Sequence, residues 1–163
     1  MTSELLNEVF SLLLERGLTL SAAESCTGGL IAKSITDLPG ASRVFRGGVV
    51  SYTNGVKRDV LGVSQELLDD HGAVSEAVAR AMAEGCRRIC GSDAALSVTG
   101  VAGPDRDDRG NAVGTVYIGL AAAGGTVCRL CRLGEDLSRE AIRTAALREA
   151  MDLVRRWLAG REE

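Results

Sequence analysis

Apolar residues recur at helical spacing near both ends of the chain. In the N-terminal segment they fall at Leu5, Val9, Leu12 and Leu13, and Gly17 follows as a stop signal. The C-terminal segment, about residues 138–158, repeats the pattern over a longer span. Two short helices are predicted over about 27–35 and 56–61. Two more are predicted to begin at N-cap residues: one after Ser64, and one after Ser75 that continues along the alanine-rich stretch to Cys90.

Shorter apolar runs between these helices predict strands. They cover about residues 18–24, 44–52 and 94–99, followed by 113–123 and 126–133, which form a predicted hairpin across Gly124 and Gly125. The adjacent Gly47 and Gly48 predict a bulge or a close backbone approach in the second strand. Strands mixed with helices predict an α/β fold: a single three-layer domain, 1–163, with a mixed β-sheet flanked by helices.

The bulk composition narrows the class of protein. The 163 residues fit one domain, and 45% apolar with 25% charged residues is typical of a soluble chain. The net charge of −3 argues against nucleic acid as a partner. No apolar run approaches the ~20 residues that span a bilayer, so no membrane association is expected. The acidic start around Glu4 lacks the basic residues of a signal peptide, and we predict a cytoplasmic protein.

The five cysteines and the single histidine do not favour a metal site. Cys128 and Cys131 have the spacing of a zinc half-site but lie within a predicted strand, and Cys86 and Cys90 lie four apart on a predicted helix. We interpret them as small buried apolar residues and predict neither a metal nor a cofactor. The segment from Asp105 to Arg109 is interpreted as a solvated loop tip rather than as a divalent-metal site.

Three loops follow strand ends, at residues 24–29, 53–57 and 99–109. In α/β sheets such loops tend to converge on one crevice. Ser25, beside Gly28 and Gly29, has the setting of a nucleophile with backbone N–H groups nearby. A serine hydroxyl needs a base, and Lys57 acts as one only if burial lowers its pKa from roughly 10.4.

Each of these residues also has a purely structural interpretation, and the pattern alone does not exclude it. Ser25 or Thr27 caps a helix in that interpretation, Lys57 is a solvated surface charge, and Tyr52 packs in a core or an interface. The two glycines then serve close helix–strand contact, and residues 98–104 form a plain turn.

Several segments together are more specific than any one of them. They are residues 23–29 (AESCTGG), 47–54 (GGVVSYTN) followed by Lys57, 98–104 (VTGVAGP), 113–120 (VGTVYIGL) and 139–143 (REAIR). In this order the segments closely resemble the C-terminal domain family of the competence-damage-inducible protein CinA, whose members include nicotinamide-nucleotide amidases. The resemblance covers roughly residues 5–158.

The resemblance implies hydrolysis of nicotinamide mononucleotide to nicotinic acid mononucleotide and ammonia, a salvage step in pyridine-nucleotide recycling. It also implies a compact α/β fold, no metal requirement, a tendency to form homo-oligomers, and a stand-alone form of a module that a nucleotide-processing domain precedes in longer relatives. The family's serine nucleophile falls on Ser25, its lysine base on Lys57, its tyrosine on Tyr52 and its arginine on Arg139, with Arg143 as the rival position. The expected substrate-binding residues are Cys26, Thr27, Gly28, Gly29, Asn54, Thr99, Gly100, Ala102 and Gly103.

The chain departs from the family pattern at three places. Asp105 and Arg106 follow the AGP motif where the family usually continues with glycines. The loop re-enters its strand through Asn111 and Ala112 instead of a lysine–proline pair. The family arginine usually follows a glycine and an acidic residue, whereas here residues 137–138 intervene between the segment 134–136 (GED) and Arg139. Two alternatives therefore stay open: a serine–lysine amidase for another small amide, and a catalytically silent nucleotide- or partner-binding module.

Overall fold

The computed structural model describes residues 1–161, so the last two residues of the predicted domain 1–163 lie outside the described part. Six helices and five strands follow one another along these residues. They are α1 (Thr2–Arg16), β1 (Leu20–Glu24), α2 (Leu30–Thr36), β2 (Phe45–Val50), α3 (Asn54–Asp59), α4 (Gln65–His71), α5 (Glu76–Cys90), β3 (Ala94–Gly100), β4 (Thr115–Ala122), β5 (Gly125–Arg132) and α6 (Arg139–Leu158), with a short 3-10 turn at Ala41–Arg43.

The five strands form one mixed sheet in the order β2-β1-β3-β4-β5. Strand β1 runs parallel to both β2 and β3, whereas β4 is antiparallel to both β3 and β5. The register of β2 on β1 shifts between Leu20 and Ser21, which is the predicted bulge. A Cβ on Gly48 would lie 2.5 Å from the Ala22 carbonyl oxygen, so the predicted close backbone approach is also present.

Helices cover both faces of the sheet, which confirms the predicted three-layer α/β architecture. The larger core joins α1, α2 and α6 to one face, and the smaller core joins α4, α5 and the segment after α3 to the other. Successive strand residues alternate between the two cores: Ala22 and Leu96 belong to the first, and Ala23 and Ala95 to the second. Both faces of the central strands β1 and β3 are therefore buried, and their sequences are rich in alanine and other small residues.

The predicted helix ends agree best with the structure where a capping residue marks them in the sequence. Ser64, Ser75 and Ser138 each accept a hydrogen bond from a backbone N–H three residues later. Gly17 ends α1 in the left-handed conformation. Helix α3 begins two residues earlier than predicted because the Thr53 side chain accepts from the Val56 N–H and caps it.

The prediction was wrong at the start of α2, which begins at Leu30 and not near Thr27. Gly29 occupies the N-cap position without a side-chain cap, so neither Ser25 nor Thr27 caps this helix. The backbone N–H groups at the start of α2 donate instead to the side-chain carboxylate of Glu24, the last residue of β1.

Two further features of the described residues bear on function. Cysteines at all five positions are free thiols, and the interpretation as buried apolar residues holds for Cys26, Cys86 and Cys131, whereas Cys90 and Cys128 are only half-buried. None of the helices within residues 1–161 has the length and the apolar character needed to cross a membrane.

Candidate active site

Ser25 lies directly after β1, at the edge of the sheet where parallel strands β1 and β3 end. Its N–H donates to the Val98 carbonyl at 2.9 Å, which extends the β1–β3 pairing by one residue. Its own carbonyl then accepts from the Gly28 N–H at 3.1 Å and closes a turn over residues 25–28. Ser25 is therefore held by backbone contacts on both sides and is only 8% exposed.

Lys57 enters the same place from α3 and is almost fully buried, with 1% of its surface exposed. Its Nζ lies 2.8 Å from Ser25 Oγ and donates to the Ser51 carbonyl at 2.7 Å. No carboxylate accepts from it among these contacts. The structure thus brings together two residues that lie 32 positions apart in the sequence.

Burial sets the protonation of this lysine. Desolvation disfavours the charged ammonium and lowers the pKa of Lys57 from 10.5 to about 8, against a smaller opposing effect of the neighbouring Cys26 thiol. Because this pKa lies one unit above pH 7, about a tenth of the Lys57 side chains are neutral at pH 7. A neutral amine within hydrogen-bond distance of a serine hydroxyl is a competent general base.

Cys26 lies beside this pair but is not a second nucleophile at neutral pH. Burial raises the pKa of its thiol to about 11, and the positive charge of Lys57 only partly opposes this effect. Since the thiolate is the reactive form, the Cys26 thiol stays protonated and unreactive.

A cavity of about 250 Å³ opens in front of the serine–lysine pair. The sequence-predicted residues Ser25, Cys26, Tyr52, Asn54, Lys57, Thr99, Gly100, Ala102 and Arg139 all line it, together with Ala73 and Val74. The last two were not predicted. Their only sequence signal was the helix end at Gly72, which places the following residues in a loop facing the strand ends.

The remaining predicted binding residues support the cavity wall or the turn behind it. Gly103 contributes its carbonyl, which accepts from Arg139 Nη1 at 2.6 Å. Thr27 has a fully buried hydroxyl with no hydrogen-bond partner among the described residues. Gly28 and Gly29 adopt positive φ angles of 57° and 102°, which shape the turn, and their N–H groups are already bonded within the protein.

Two arginines on neighbouring turns of α6 have different positions. Arg139 lines the cavity, and its Nη2 donates to the Tyr52 hydroxyl at 2.9 Å. Arg143 lies behind the turn over residues 25–28, where its Nη2 donates to the Thr27 carbonyl at 2.9 Å. The structure therefore places Arg139, and not its rival, at the cavity with Tyr52.

The tip of the loop after β3 is solvated as interpreted, since four of the residues 105–109 are exposed, and its arginines also contact neighbouring segments. Arg109 donates to the Leu68, Asp69 and Asp70 carbonyls at the end of α4. Arg106 forms an exposed ion pair of 3.6 Å with Glu135. Of the residues that replace the family glycines, Arg106 ties the loop to the segment before α6, and Arg109 further along the loop ties it to the end of α4.

The described residues offer no group of three or more His, Cys, Asp or Glu side chains placed to hold a metal ion. A larger open cleft of about 700 Å³ lies between α1 and α6, but none of the predicted site residues lines it. Its arginines and carboxylates pair with one another, as Arg129 does with Glu149 and Asp152. The smaller cavity, and not this cleft, is lined by the serine–lysine pair.

The fold and this cavity define an α/β protein with a buried serine–lysine pair at the ends of its parallel strands. A family model, the CinA C-terminal domain, matches residues 2–158. The chain belongs to the CinA C-terminal domain family, as the motifs predicted.

Relatives of known sequence agree with this membership. The chain is 51% identical over 150 residues to a putative competence-damage inducible protein of Desulforudis audaxviator, a match that covers 92% of this chain and 36% of that protein. It is 53% identical over 153 residues to a CinA-like protein of Frankia casuarinae, covering 93% of this chain and 34% of that protein. The chain thus spans about a third of the length of these relatives.

Solved structures share the whole fold. A CinA superfamily protein from Klebsiella pneumoniae superimposes with a TM-score of 0.94 at 34% identity, covering 98% of this chain and 99% of that one. The competence/damage inducible protein CihA from Agrobacterium tumefaciens gives a TM-score of 0.90 at 38% identity, covering 97% and 95%. The five-stranded mixed sheet flanked by six helices is therefore the fold of this superfamily.

Proposed function

We propose that this protein is an amidohydrolase that converts nicotinamide mononucleotide to nicotinic acid mononucleotide and ammonia, with Ser25 as nucleophile and Lys57 as base. The observation that carries the proposal is the 2.8 Å contact between Lys57 Nζ and Ser25 Oγ in a nearly water-free position. A structural lysine buried among apolar residues would be expected to pair with a carboxylate. This one faces a hydroxyl that lines a cavity.

In the proposed reaction, neutral Lys57 takes the proton of Ser25 as Oγ bonds to the carboxamide carbon. The carbonyl electrons move to oxygen and give a tetrahedral oxyanion. When this collapses, the C–N bond breaks, Lys57 returns the proton to the leaving nitrogen, and ammonia departs. Water then attacks the acyl-enzyme with Lys57 again as base, which releases the carboxylic acid and restores Ser25.

The contacts of Lys57 suit this role. A neutral amine has two N–H bonds and one lone pair. Donation to the Ser51 carbonyl at 2.7 Å occupies one N–H and orients the group. The lone pair is then free to accept from the Ser25 hydroxyl, which is the direction of proton transfer that the first step needs.

The charge around the cavity fits an anionic substrate. The two ionisable side chains that line it besides the Cys26 thiol and the Tyr52 phenol are Lys57 and Arg139, and both are basic. The exposed Arg139 guanidinium lies at the mouth, where it would pair with the phosphate of a mononucleotide. The half-exposed ring of Tyr52 would lie alongside the pyridine ring.

The proposal is tested by ammonia release from nicotinamide mononucleotide, with a metal chelator present throughout. We expect chelator-resistant release from the native chain and a fall of at least about a thousandfold in Ser25→Ala, because the covalent route is lost. Ser92→Ala, which removes a buried hydroxyl away from the cavity, is the matched control and should keep the native rate. Release by a folded Ser25→Ala protein would overturn the nucleophile assignment.

Other outcomes of the same experiment select the alternatives. Ammonia release from small non-nucleotide amides but not from the mononucleotide would favour a serine–lysine amidase that acts on another small amide. Tight mononucleotide binding without release would indicate a binding module.

A further inference from the structure

The turn that carries Ser25 is held from one side by Glu24. This carboxylate is 1% exposed, and its oxygens accept from the backbone N–H groups of Gly29, Ile31 and Ala32 at 3.1, 3.1 and 2.8 Å. A buried carboxylate with three backbone donors is a strong fixed point, because each lost bond would leave a buried polar group unsatisfied. Glu24 thus joins the end of β1 rigidly to the start of α2.

Arg143 holds the same turn from the opposite side. Its guanidinium donates to the Thr27 carbonyl at 2.9 Å from the second turn of α6. A Cβ added to Gly28 would lie 3.6 Å from the same guanidinium nitrogen, so the arginine is packed against the turn. The acidic residue fixes the N–H groups after the turn, and the basic residue fixes a carbonyl within it.

This arrangement decides which backbone N–H groups are available to a substrate. The Gly28 N–H is used by the Ser25 carbonyl and the Gly29 N–H by Glu24, so the two glycines are not free to bind an oxyanion. The Cys26 N–H interacts with the thiol of the same residue. No other described residue accepts a hydrogen bond from it, and none accepts one from the Thr27 N–H. Cys26 and Thr27 are the two central residues of this turn, and Cys26 lines the cavity beside Ser25.

We propose that Glu24 and Arg143 are a pair of positioning residues that hold the turn so that the N–H groups of Cys26 and Thr27 bind the oxyanion formed at Ser25. Neither side chain touches the substrate in this assignment. The inference rests on the proposed amidase function for its substrate, but its central claim concerns the reactivity of Ser25. That claim is measurable without a substrate.

The first test measures the rate at which a fluorophosphonate labels Ser25, followed by intact mass. Phosphonylation needs the same nucleophile and the same donors to a developing oxyanion. We expect Glu24→Gln to slow labelling by at least about tenfold, since small misplacements of reacting groups cost up to about a hundredfold. Glu84→Gln, the same change at an exposed helical carboxylate, should label at the native rate.

Arg143 provides a second variant that does not disturb the buried carboxylate. Arg143→Met removes the donor to the Thr27 carbonyl, whereas Arg143→Lys keeps a donor within reach. We expect labelling to slow by about tenfold in the methionine variant and to recover in the lysine variant. Native labelling rates in both folded Glu24→Gln and Arg143→Met would overturn the proposal.

The second test separates positioning from simple destabilisation. Sulfur accepts hydrogen bonds more weakly than oxygen, so backbone donors favour a carboxamide over the matching thioamide. The ratio of kcat/KM for nicotinamide mononucleotide to that for its thioamide should fall several-fold in Glu24→Gln and Arg143→Met. KM for the carboxamide should stay near native. An unchanged ratio with both rates lowered would assign the two residues to stability alone and reject the proposal.

The outcomes also distinguish this proposal from the proposed function. If the native chain releases no ammonia, yet Ser25 is labelled and Glu24→Gln slows the labelling, then the substrate assignment fails and the positioning pair stands. If ammonia is released and the variants keep native rates, the function stands and the pair is rejected. A native chain that is neither labelled nor active would overturn both.

Discussion

At the scale of single residues, the proposed reaction depends on one buried amine. Lys57 has no carboxylate partner in its contacts with Ser25 and the Ser51 carbonyl. Its ammonium form is therefore poorly compensated, and folding lowers the pKa of Lys57, which raises the neutral fraction of the amine at a given pH. Two measurable consequences follow, one for the reaction rate and one for stability.

The rate should follow the deprotonation of Lys57. We expect kcat/KM for ammonia release to rise about tenfold per pH unit below pH 8 and to level off above it, because the pKa of Lys57 lies at about 8. Lys57→Arg keeps a cation that does not deprotonate and should lower kcat/KM by about 10²–10⁴-fold at every pH. A native profile that is flat from pH 6 to 9 would mean that another group is the base.

The stability should depend on the same proton. Between pH 8 and 10.5 the unfolded chain keeps Lys57 protonated while the folded chain does not, so the unfolded state binds more protons and stability rises with pH. Relative to Lys57→Met, the native free energy of unfolding should therefore increase by about 2–3 kcal/mol from pH 7 to pH 10. Urea unfolding of both proteins at the two pH values measures this, and a constant difference would contradict the lowered pKa.

At the scale of elements, the site depends on how α5 packs beneath the segment that follows α3. A Cβ on Gly85, in the middle of α5, would lie 1.9 Å from the Leu61 carbonyl oxygen. The Val63 N–H in this segment donates to the Lys57 carbonyl at 3.0 Å. The close approach at Gly85 therefore fixes the distance of this segment from α5 and, through the segment, the position of Lys57.

Gly85→Ala tests this packing. Alanine normally stabilises a helix interior by about 0.5–1 kcal/mol relative to glycine, but here the clash should reverse the sign and cost about 1–3 kcal/mol or more. The variant should also lose ammonia release in its folded form, because Lys57 shifts with the segment. Gly124→Ala, where a Cβ has nothing within 4 Å, should stay within about 0.5 kcal/mol of native. A stabilised Gly85→Ala protein would contradict the contact.

At the scale of the whole molecule, two cores share one sheet. Met82 on α5 and Met151 on α6 lie on opposite faces of the sheet, and both are fully buried. Successive side chains of the central strands β1 and β3 pack alternately in the one core and in the other. The layers are therefore expected to unfold together rather than one after the other.

Met82→Ala tests this coupling, because the single tryptophan, Trp157, packs on the opposite core. The variant should lose about 2–5 kcal/mol of stability through the cavity it creates. Urea transitions followed by Trp157 fluorescence and by circular dichroism should shift together, and Met151→Ala serves as the matched change on the tryptophan's own side. A fluorescence transition that stays in place while circular dichroism shifts would show that the layers unfold separately.

The sequence predicted most of the elements because capping residues and turn glycines act locally. Ser64, Ser75 and Gly17 mark helix ends through bonds to neighbours a few residues away. The start of α2 was misplaced because its acceptor, Glu24, precedes the helix by several residues and reads in sequence as the end of a strand. Capping across a turn leaves no standard spacing in the sequence.

The residues of the candidate site also fall into those that the sequence predicted and those that it did not. Motif resemblance brought Ser25, Lys57, Tyr52 and Arg139 together, and all four line the observed cavity. Ala73 and Val74 were missed because an alanine and a valine after a helix end carry no chemical signal. The different positions of Arg139 and Arg143 were also not readable from their spacing, since residues four apart on a helix point to nearly the same face.

By itself, the sequence determined the helices and strands, the three-layer α/β class and the family, because periodicity, caps and motifs are properties of neighbouring residues. Tertiary structure alone decided that Lys57 is buried against Ser25, that Glu24 and Arg143 hold the turn between them, and that the glycine N–H groups are already used. These contacts join residues up to 116 positions apart. Their energies depend on desolvation and on distances of a few ångströms, which only the packed chain fixes.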